Sequence, residues 1–195
     1  MLIVLDRQHR GKPSKPSDLG AGYDIDGDGR IAISEREAML TGLMALAAEA
    51  RLIELGHEVV PMSDGHYHER HERANARGAD AYIALHLNAG HGDYGAVFHD
   101  YRSLRGPGLA ESIAGVLSDT ADELKRVRVI DARPTDWTAN AYRCISGLAA
   151  PIGIVYEPCF MDSPDHAPLL LEQGQRRLGN ALAVGIHRWS ETRRK

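Results

Sequence analysis

The chain has 195 residues, 43% of them hydrophobic and 26% charged, a balance that excludes a disordered segment and suits one globular domain or at most two small ones. With 23 Lys+Arg against 27 Asp+Glu the formal charge is −4, which argues against a nucleic-acid binder that relies on counterion release; the basic tail Arg193-Arg194-Lys195 is too short to change this. Two cysteines, Cys144 and Cys159, exclude a disulfide scaffold, no apolar run approaches the roughly 18 residues that cross a bilayer, and the opening MLIVLD has neither a charged n-region nor a cleavage site. The expectation is a protein with no nucleic-acid partner, no membrane insertion and no signal peptide.

Helical and strand periodicities alternate along the chain, which predicts an α/β fold. The expected architecture is a single three-layer domain with a central twisted sheet, mostly parallel or mixed, of about five to six strands and helices on both faces. Leu2–Leu5 reads as a buried strand that runs directly into the polar stretch Asp6–Gly11, and residues 11–23 hold Gly, Pro and Ser at loop density. From Arg36 the apolar positions Leu40, Leu43, Met44, Ala47 and Ile53 keep helical spacing up to Gly56, a stop before a strand at Glu58–Met62. A helix over His68–Arg77 and a core strand over Ala81–Leu87 follow; a second strand, Gly95–Tyr101, comes after the glycine-rich turn Gly90–Gly95. The rest reads as a helix between Pro107 and Leu124, a short strand at 128–131, a helix over 137–147, a buried strand Ile152–Glu157 and a final helix Gln173–Trp189.

Residues 24–35, DIDGDGRIAISE, match an EF-hand calcium loop at every diagnostic position. Calcium takes hard oxygen ligands, here the carboxylates of Asp24, Asp26 and Asp28, the backbone carbonyl of Arg30 and a bidentate Glu35, with Gly29 at the sharp turn. The plainer reading is a solvated acidic turn ahead of a helix. No helix-forming sequence precedes Asp24, so a structural Ca2+ clip outranks a sensor.

His9 after the first strand, Glu37 on the first helical turn and His86 at the end of AYIALH form the ligand set of a catalytic zinc with an open position. Two of them have a plainer alternative: Glu37 fits a capping box that returns to the backbone of Ser34, and His86 fits a satisfied histidine at a strand end. Several segments then resemble one family in the right order. IVLDRQHRG is similar to an opening strand followed by D-P-G-H-G-G, AYIALHLNA to S-I-H-x-N-A, ERHERANARGADAYIALH to R-x-x-x-A-N and the second histidine strand, and IGIVYEPCFMDSPDHAPLL to P-A-V-L-V-E-x-G-F-x-S-N-P-x-D. EARLIELGHEVV is similar to the helix end and strand that follow the ligand glutamate. By these segments the chain resembles the zinc-dependent N-acetylmuramoyl-L-alanine amidases of the third class, found in bacterial cell-wall enzymes and phage endolysins.

The resemblance spans nearly the whole chain, 1–195, and implies Zn2+ on His9, Glu37 and His86 and a catalytic carboxylate at Glu157. It favours Glu37 over Glu35 as the ligand, about five helical turns ahead of Gly56, which leaves Glu35 to the calcium loop. That loop, 24–35, occupies the excess length between His9 and Glu37 relative to the family. The implied reaction is hydrolysis of the lactyl-L-alanine amide of peptidoglycan, with Glu157 taking the water proton and delivering it to the leaving amine. The alternatives are a noncatalytic wall-binding module and a zinc peptidase that cuts within the stem peptide. The chain departs from the family pattern at Arg7-Gln8-His9-Arg10, where glycines are usual, and at Cys159 and Asp162-Ser163. A monomer made in a host cytoplasm and released as a phage-type endolysin is the expected context. His66, His68 and His71 read as a solvated helix face rather than a metal site, Cys144 and Cys159 as free thiols, Asn88 as a substrate contact or a support of the His86 strand end, Trp137 and Tyr142 as groove residues and Trp189 as packing.

Overall fold

A computed structural model describes residues 1–9, 17–135, 137–149 and 151–193. Part of the loop read at 11–23, together with Arg10 and the last two tail residues, lies outside the described residues. In chain order the elements are β1 (Leu2–Arg7), α1 (Glu37–Glu54), β2 (Glu58–Met62), α2 (Tyr67–Ala76), β3 (Ala81–Leu85), β4 (Tyr94–Asp100), α3 (Gly106–Thr120), β5 (Arg126–Ala132), α4 (Ala139–Arg143), β6 (Ile152–Glu157), α5 (Ala167–Leu170) and α6 (Glu172–Thr192). One six-stranded sheet runs β2-β1-β3-β6-β4-β5. β2, β1, β3 and β6 run parallel to one another, β4 is antiparallel to β6, and β5 pairs parallel with β4. The sheet is therefore mixed.

The alternation of each strand divides the core between the two faces. Ile3, Leu5, Ile83, Leu85 and Ile154 pack with Leu40 and Met44 of α1, Leu109 and Ile113 of α3, and Leu178 and Leu182 of α6. Val4, Tyr82, Ala84 and Val155 turn the other way, onto Ala74 of α2 and Ala141 of α4. Every residue of β3 is buried, which is why it reads as a continuous apolar run. α1 and α6 approach at backbone distance, since a Cβ on Gly179 would lie 2.2 Å from the Met44 carbonyl oxygen.

Two helices end before their sequence patterns do. α3 stops at Thr120, whose hydroxyl bonds back to Val116 O at 2.6 Å, and Ala121 leaves the helical region. α4 spans only Ala139–Arg143 instead of 137–147, because the chain then turns to bury Ile145 and to lay Gly147 against the His71 ring, where a Cβ would meet Nδ1 at 2.5 Å. α5 and the 3-10 turn Pro164–His166, absent from the sequence reading, start on prolines at the first helical positions.

The charged segment of α2 is not a solvated face throughout. Arg70 and His71 are 0% and 1% exposed. The Arg70 guanidinium donates from Nη1 to Asp6 Oδ1 at 2.5 Å and from Nε and Nη2 to Gly65 O at 3.1 and 2.9 Å. Tyr82 Oη and Gln8 Nε2 donate to Asp6 Oδ2. This buried cluster pins the end of β1. Removing one partner strands the other charge, so Arg70→Ala is expected to cost about 3–5 kcal/mol of unfolding free energy in denaturant titration; a loss below about 1 kcal/mol, the scale of an exposed pair, would contradict this role.

Candidate active site

β1, β3 and β6 are adjacent and parallel, so the chain leaves all three at the same sheet end. His9 lies two residues beyond β1, His86 one residue beyond β3, Glu157 closes β6, and Glu37 opens α1 above them. The local backbone is specialised for this. His9 adopts φ 58°, in the left-handed region. Gly20, at φ 77°, passes so close to Glu37 that a Cβ would lie 2.6 Å from its Oε2. The first turn of α1 is tied down by Glu37 N–H to Ala21 O at 2.9 Å and Ala38 N–H to Leu19 O at 3.0 Å.

Three donors converge. His9 Nε2 stands 3.2 Å from Glu37 Oε2, His86 Nδ1 stands 2.9 Å from Glu37 Oε1, and the two ring nitrogens are 3.3 Å apart. A tetrahedral ion with bonds of about 2.0–2.1 Å keeps its ligands roughly 3.3 Å from one another, so the two imidazoles and the carboxylate fit zinc. Behind His9, Asp18 Oδ1 lies 3.6 Å from Nδ1. Glu37 also accepts from Leu87 N–H at 3.1 Å and Ala21 N–H at 3.2 Å, so its cap partner is not the backbone of Ser34. Burial opposes the charge on Glu37, but His86 and His9 outweigh it and hold the carboxyl well below the ordinary range. Burial pushes Glu157 up, and the neighbouring charge of Glu37 adds to that against the pull of His86.

All four residues line one cavity of about 440 Å³, together with Gln8, Tyr67, Asn140, Arg143 and Cys144. Glu157 beside two imidazoles and a carboxylate at metal-ligand spacing, in an open pocket that Arg143 also lines, is an arrangement that suits hydrolysis. Residues 3–188 match the family described as N-acetylmuramoyl-L-alanine amidase. The chain belongs to this family.

The amidase shares its fold with solved relatives of low sequence identity. AmiC2 of Nostoc punctiforme superposes with a TM-score of 0.75 at 22% identity, covering 98% of this chain and 97% of that one. The catalytic domain of CwlV from Bacillus (Paenibacillus) polymyxa var. colistinus gives 0.72 at 19%, covering 97% and 98%. Cwp6 from Clostridium difficile gives 0.77 at 22%, but the match spans 95% of this chain and 28% of Cwp6. No curated protein matches the sequence. The amidase is an enzyme of cell-wall hydrolysis, and among the described residues no helix is long and apolar enough to cross a membrane.

The other residues singled out in the sequence fall as follows. Asp24, Asp26 and Asp28 bring carboxylate oxygens within 4.8 Å of one another. Glu35 lies outside that group. Its Oε1 accepts Ile25 N–H at 2.6 Å and Asp26 N–H at 3.2 Å, and its Oε2 accepts Ala32 N–H at 2.7 Å. Arg30 contributes a backbone N–H to Asp28 Oδ1 at 2.8 Å. Both cysteines are free thiols. Trp189 is buried packing, whereas Trp137 is 63% exposed and neither it nor Tyr142 lines the cavity. Asn88 supports the strand end, with its N–H on Cys159 O at 2.9 Å and its carbonyl receiving Met161 N–H at 2.9 Å. Asp162 caps the neighbouring loop through Gly90 and His91 N–H at 2.7 and 3.0 Å.

Sequence reasoning did not place Tyr67, Asn140, Arg143 or Cys144 in the cavity. α4 is a five-residue helix with no motif of its own, and its sequence distance from His86 hides the contact. Gly20→Ala is expected to displace Glu37 and to strain the left-handed backbone by roughly 1–2 kcal/mol, lowering zinc uptake measured by elemental analysis after dialysis. Wild-type zinc content in a folded Gly20→Ala would contradict the fit described for Glu37.

Proposed function

We propose that the amidase hydrolyses the amide between the N-acetylmuramoyl lactyl group and L-alanine with zinc held by His9, Glu37 and His86. One observation carries the reading: two imidazoles and a carboxylate meet at ligand spacing in the same cavity as a second carboxylate, Glu157. A zinc ion there supplies Lewis acidity toward an amide carbonyl and an attacking water. Glu157 takes the water proton and then passes it to the leaving amine, a shuttle helped by burial that lifts its pKa toward the working range. Glu37, held ionised by its two histidines, keeps its ligand charge. Arg143 and Asn140 line the cavity from α4, where they would meet the substrate. A monomer as the active unit belongs to the same proposal and rests on the sequence reading. The endolysin setting belongs to the same proposal, and it rests on the sequence reading and on a fold shared with the catalytic domain of the CD27L endolysin, at TM-score 0.69.

Glu157→Gln is expected to lower turnover by about 10²–10⁴-fold while zinc content stays at the wild-type level, with activity scored by mass spectrometry of digested peptidoglycan. Wild-type products should be peptide-free glycan strands and stem peptides with new L-alanine amino termini. Cut stems on intact lactyl-alanine bonds would mean a peptidase, and wall binding without product would mean a noncatalytic module.

We further propose that loop 24–35 holds a structural Ca2+ through Asp24, Asp26, Asp28, the Arg30 carbonyl and Glu35. Support comes from the motif, from the gathered aspartate oxygens, and from the joining of the loop to the helix start, where Gly22 bridges Arg36 and Tyr23 N–H reaches Glu35 O at 3.4 Å. Calcium would then steady the turn that presents Glu37. Adding calcium to zinc-loaded, calcium-free protein is expected to raise both its melting temperature and its activity; no change in either would overturn the proposal.

A further inference from the structure

The His86 ring has two nitrogens with different tasks. Nδ1 faces Glu37 and His9, at 2.9 and 3.3 Å, and gives its lone pair to the metal in the zinc reading on which this inference rests. Nε2 therefore carries a hydrogen that it can donate. Cys144 Sγ lies 3.6 Å from Nε2. The same sulfur is 3.4 Å from the Asn140 carbonyl, one turn back, and donates its own proton there. The direction of the relay is then fixed: Nε2–H to sulfur, S–H to carbonyl oxygen.

The backbone that carries the sulfur is also held in place. Cys144 O meets His71 Nε2 at 2.7 Å, and Cys144 N–H reaches Ala141 O at 3.1 Å, so α2 and α4 grip the residue from both sides. His71 follows Arg70, whose guanidinium fixes Asp6 at the end of β1, two residues before Gln8. One buried cluster thus braces the strand end that leads to His9 and the thiol behind His86.

We propose that Cys144 is a positioning residue of the metal centre, its thiol accepting the Nε2–H of His86 and so fixing the ring orientation and the tautomer that offers Nδ1 as ligand. A partner behind a ligating imidazole is usually a carboxylate or a carbonyl, and its loss costs about 10–100-fold in metal affinity. A thiol in that place is a weaker acceptor.

The test compares Cys144→Val, Cys144→Ala and Cys144→Ser by zinc affinity in competition with a chromogenic chelator, with the melting temperature of each zinc-free protein as a folding control. Valine keeps the bulk and alanine opens space, so both are expected to bind zinc about 10–100-fold more weakly at unchanged melting temperature. Serine, which can accept and donate along the same relay, is expected to stay within a few-fold of wild type. Equal affinity of the valine variant and wild type would overturn the proposal, as would equal losses in valine and serine. The Co(II)-substituted wild type is expected to lack a sulfur-to-cobalt charge-transfer band; such a band would make Cys144 a ligand instead. A wild type that fails to bind zinc would overturn the metal reading itself, an outcome distinct from all of these.

Discussion

A carboxylate buried between two imidazoles is the constraint on which this molecule turns. Taking a charge such as that of Glu37 out of water costs several kcal/mol unless it is met by donors or cations. Glu37 has two histidine nitrogens within 3.2 Å and two backbone N–H groups, from Ala21 and Leu87. It is also the first residue of α1, where the helix dipole favours a negative charge. Each partner comes from a different part of the chain, so the fold must deliver all of them to one point. That requirement accounts for the left-handed backbone at His9 and Gly20 and for the abrupt start of α1.

The sheet delivers them by geometry. Parallel strands end on one side, and three central neighbours, β1, β3 and β6, carry or precede His9, His86 and Glu157. Two layers then play different parts. α1, α3 and α6 make the larger core and set the height of Glu37 above the strand ends. α2 and α4 cover the other face and brace the histidines, through Asp6–Arg70 and through the His71–Cys144 contact. The two carboxylates of the cavity differ only in their surroundings. Contacts with the His86 and His9 ring nitrogens hold Glu37 ionised, whereas Glu157 is pushed upward by burial and by Glu37 itself.

Much of this was legible in the residues. Buried parallel strands are short apolar runs that break into polar residues, so LIVLD, AYIALH and IGIVYE announced both the central strands and the chemistry at their ends. The spacing of Leu40, Met44 and Ala47 gave α1 its buried face. Strand direction is not written in such patterns, and the reversal of β4 against β6 came only from the structure. The charge density of GHYHERHER suggested solvent, but Arg70 finds Asp6 from 64 residues away and is buried by that pairing. Cys144 and His86 are likewise 58 residues apart, and a short helix with no amphipathic signal gave no reason to bring them together. The family resemblance supplied the role of Glu157 and weighed for the ligand set His9, Glu37 and His86; residue types alone left Glu37 and His86 a structural alternative.

The position of the metal decides whether His9, Glu37 and His86 form a zinc centre. Anomalous diffraction from crystals of the zinc-loaded protein, with data on either side of the zinc edge, locates it directly. The prediction is one strong anomalous peak among His9 Nε2, the Glu37 carboxylate and His86 Nδ1, on the side of the cavity that Glu157 faces. A peak at the histidines of α2 or at the aspartates of loop 24–35, with none between His9 and His86, would contradict it.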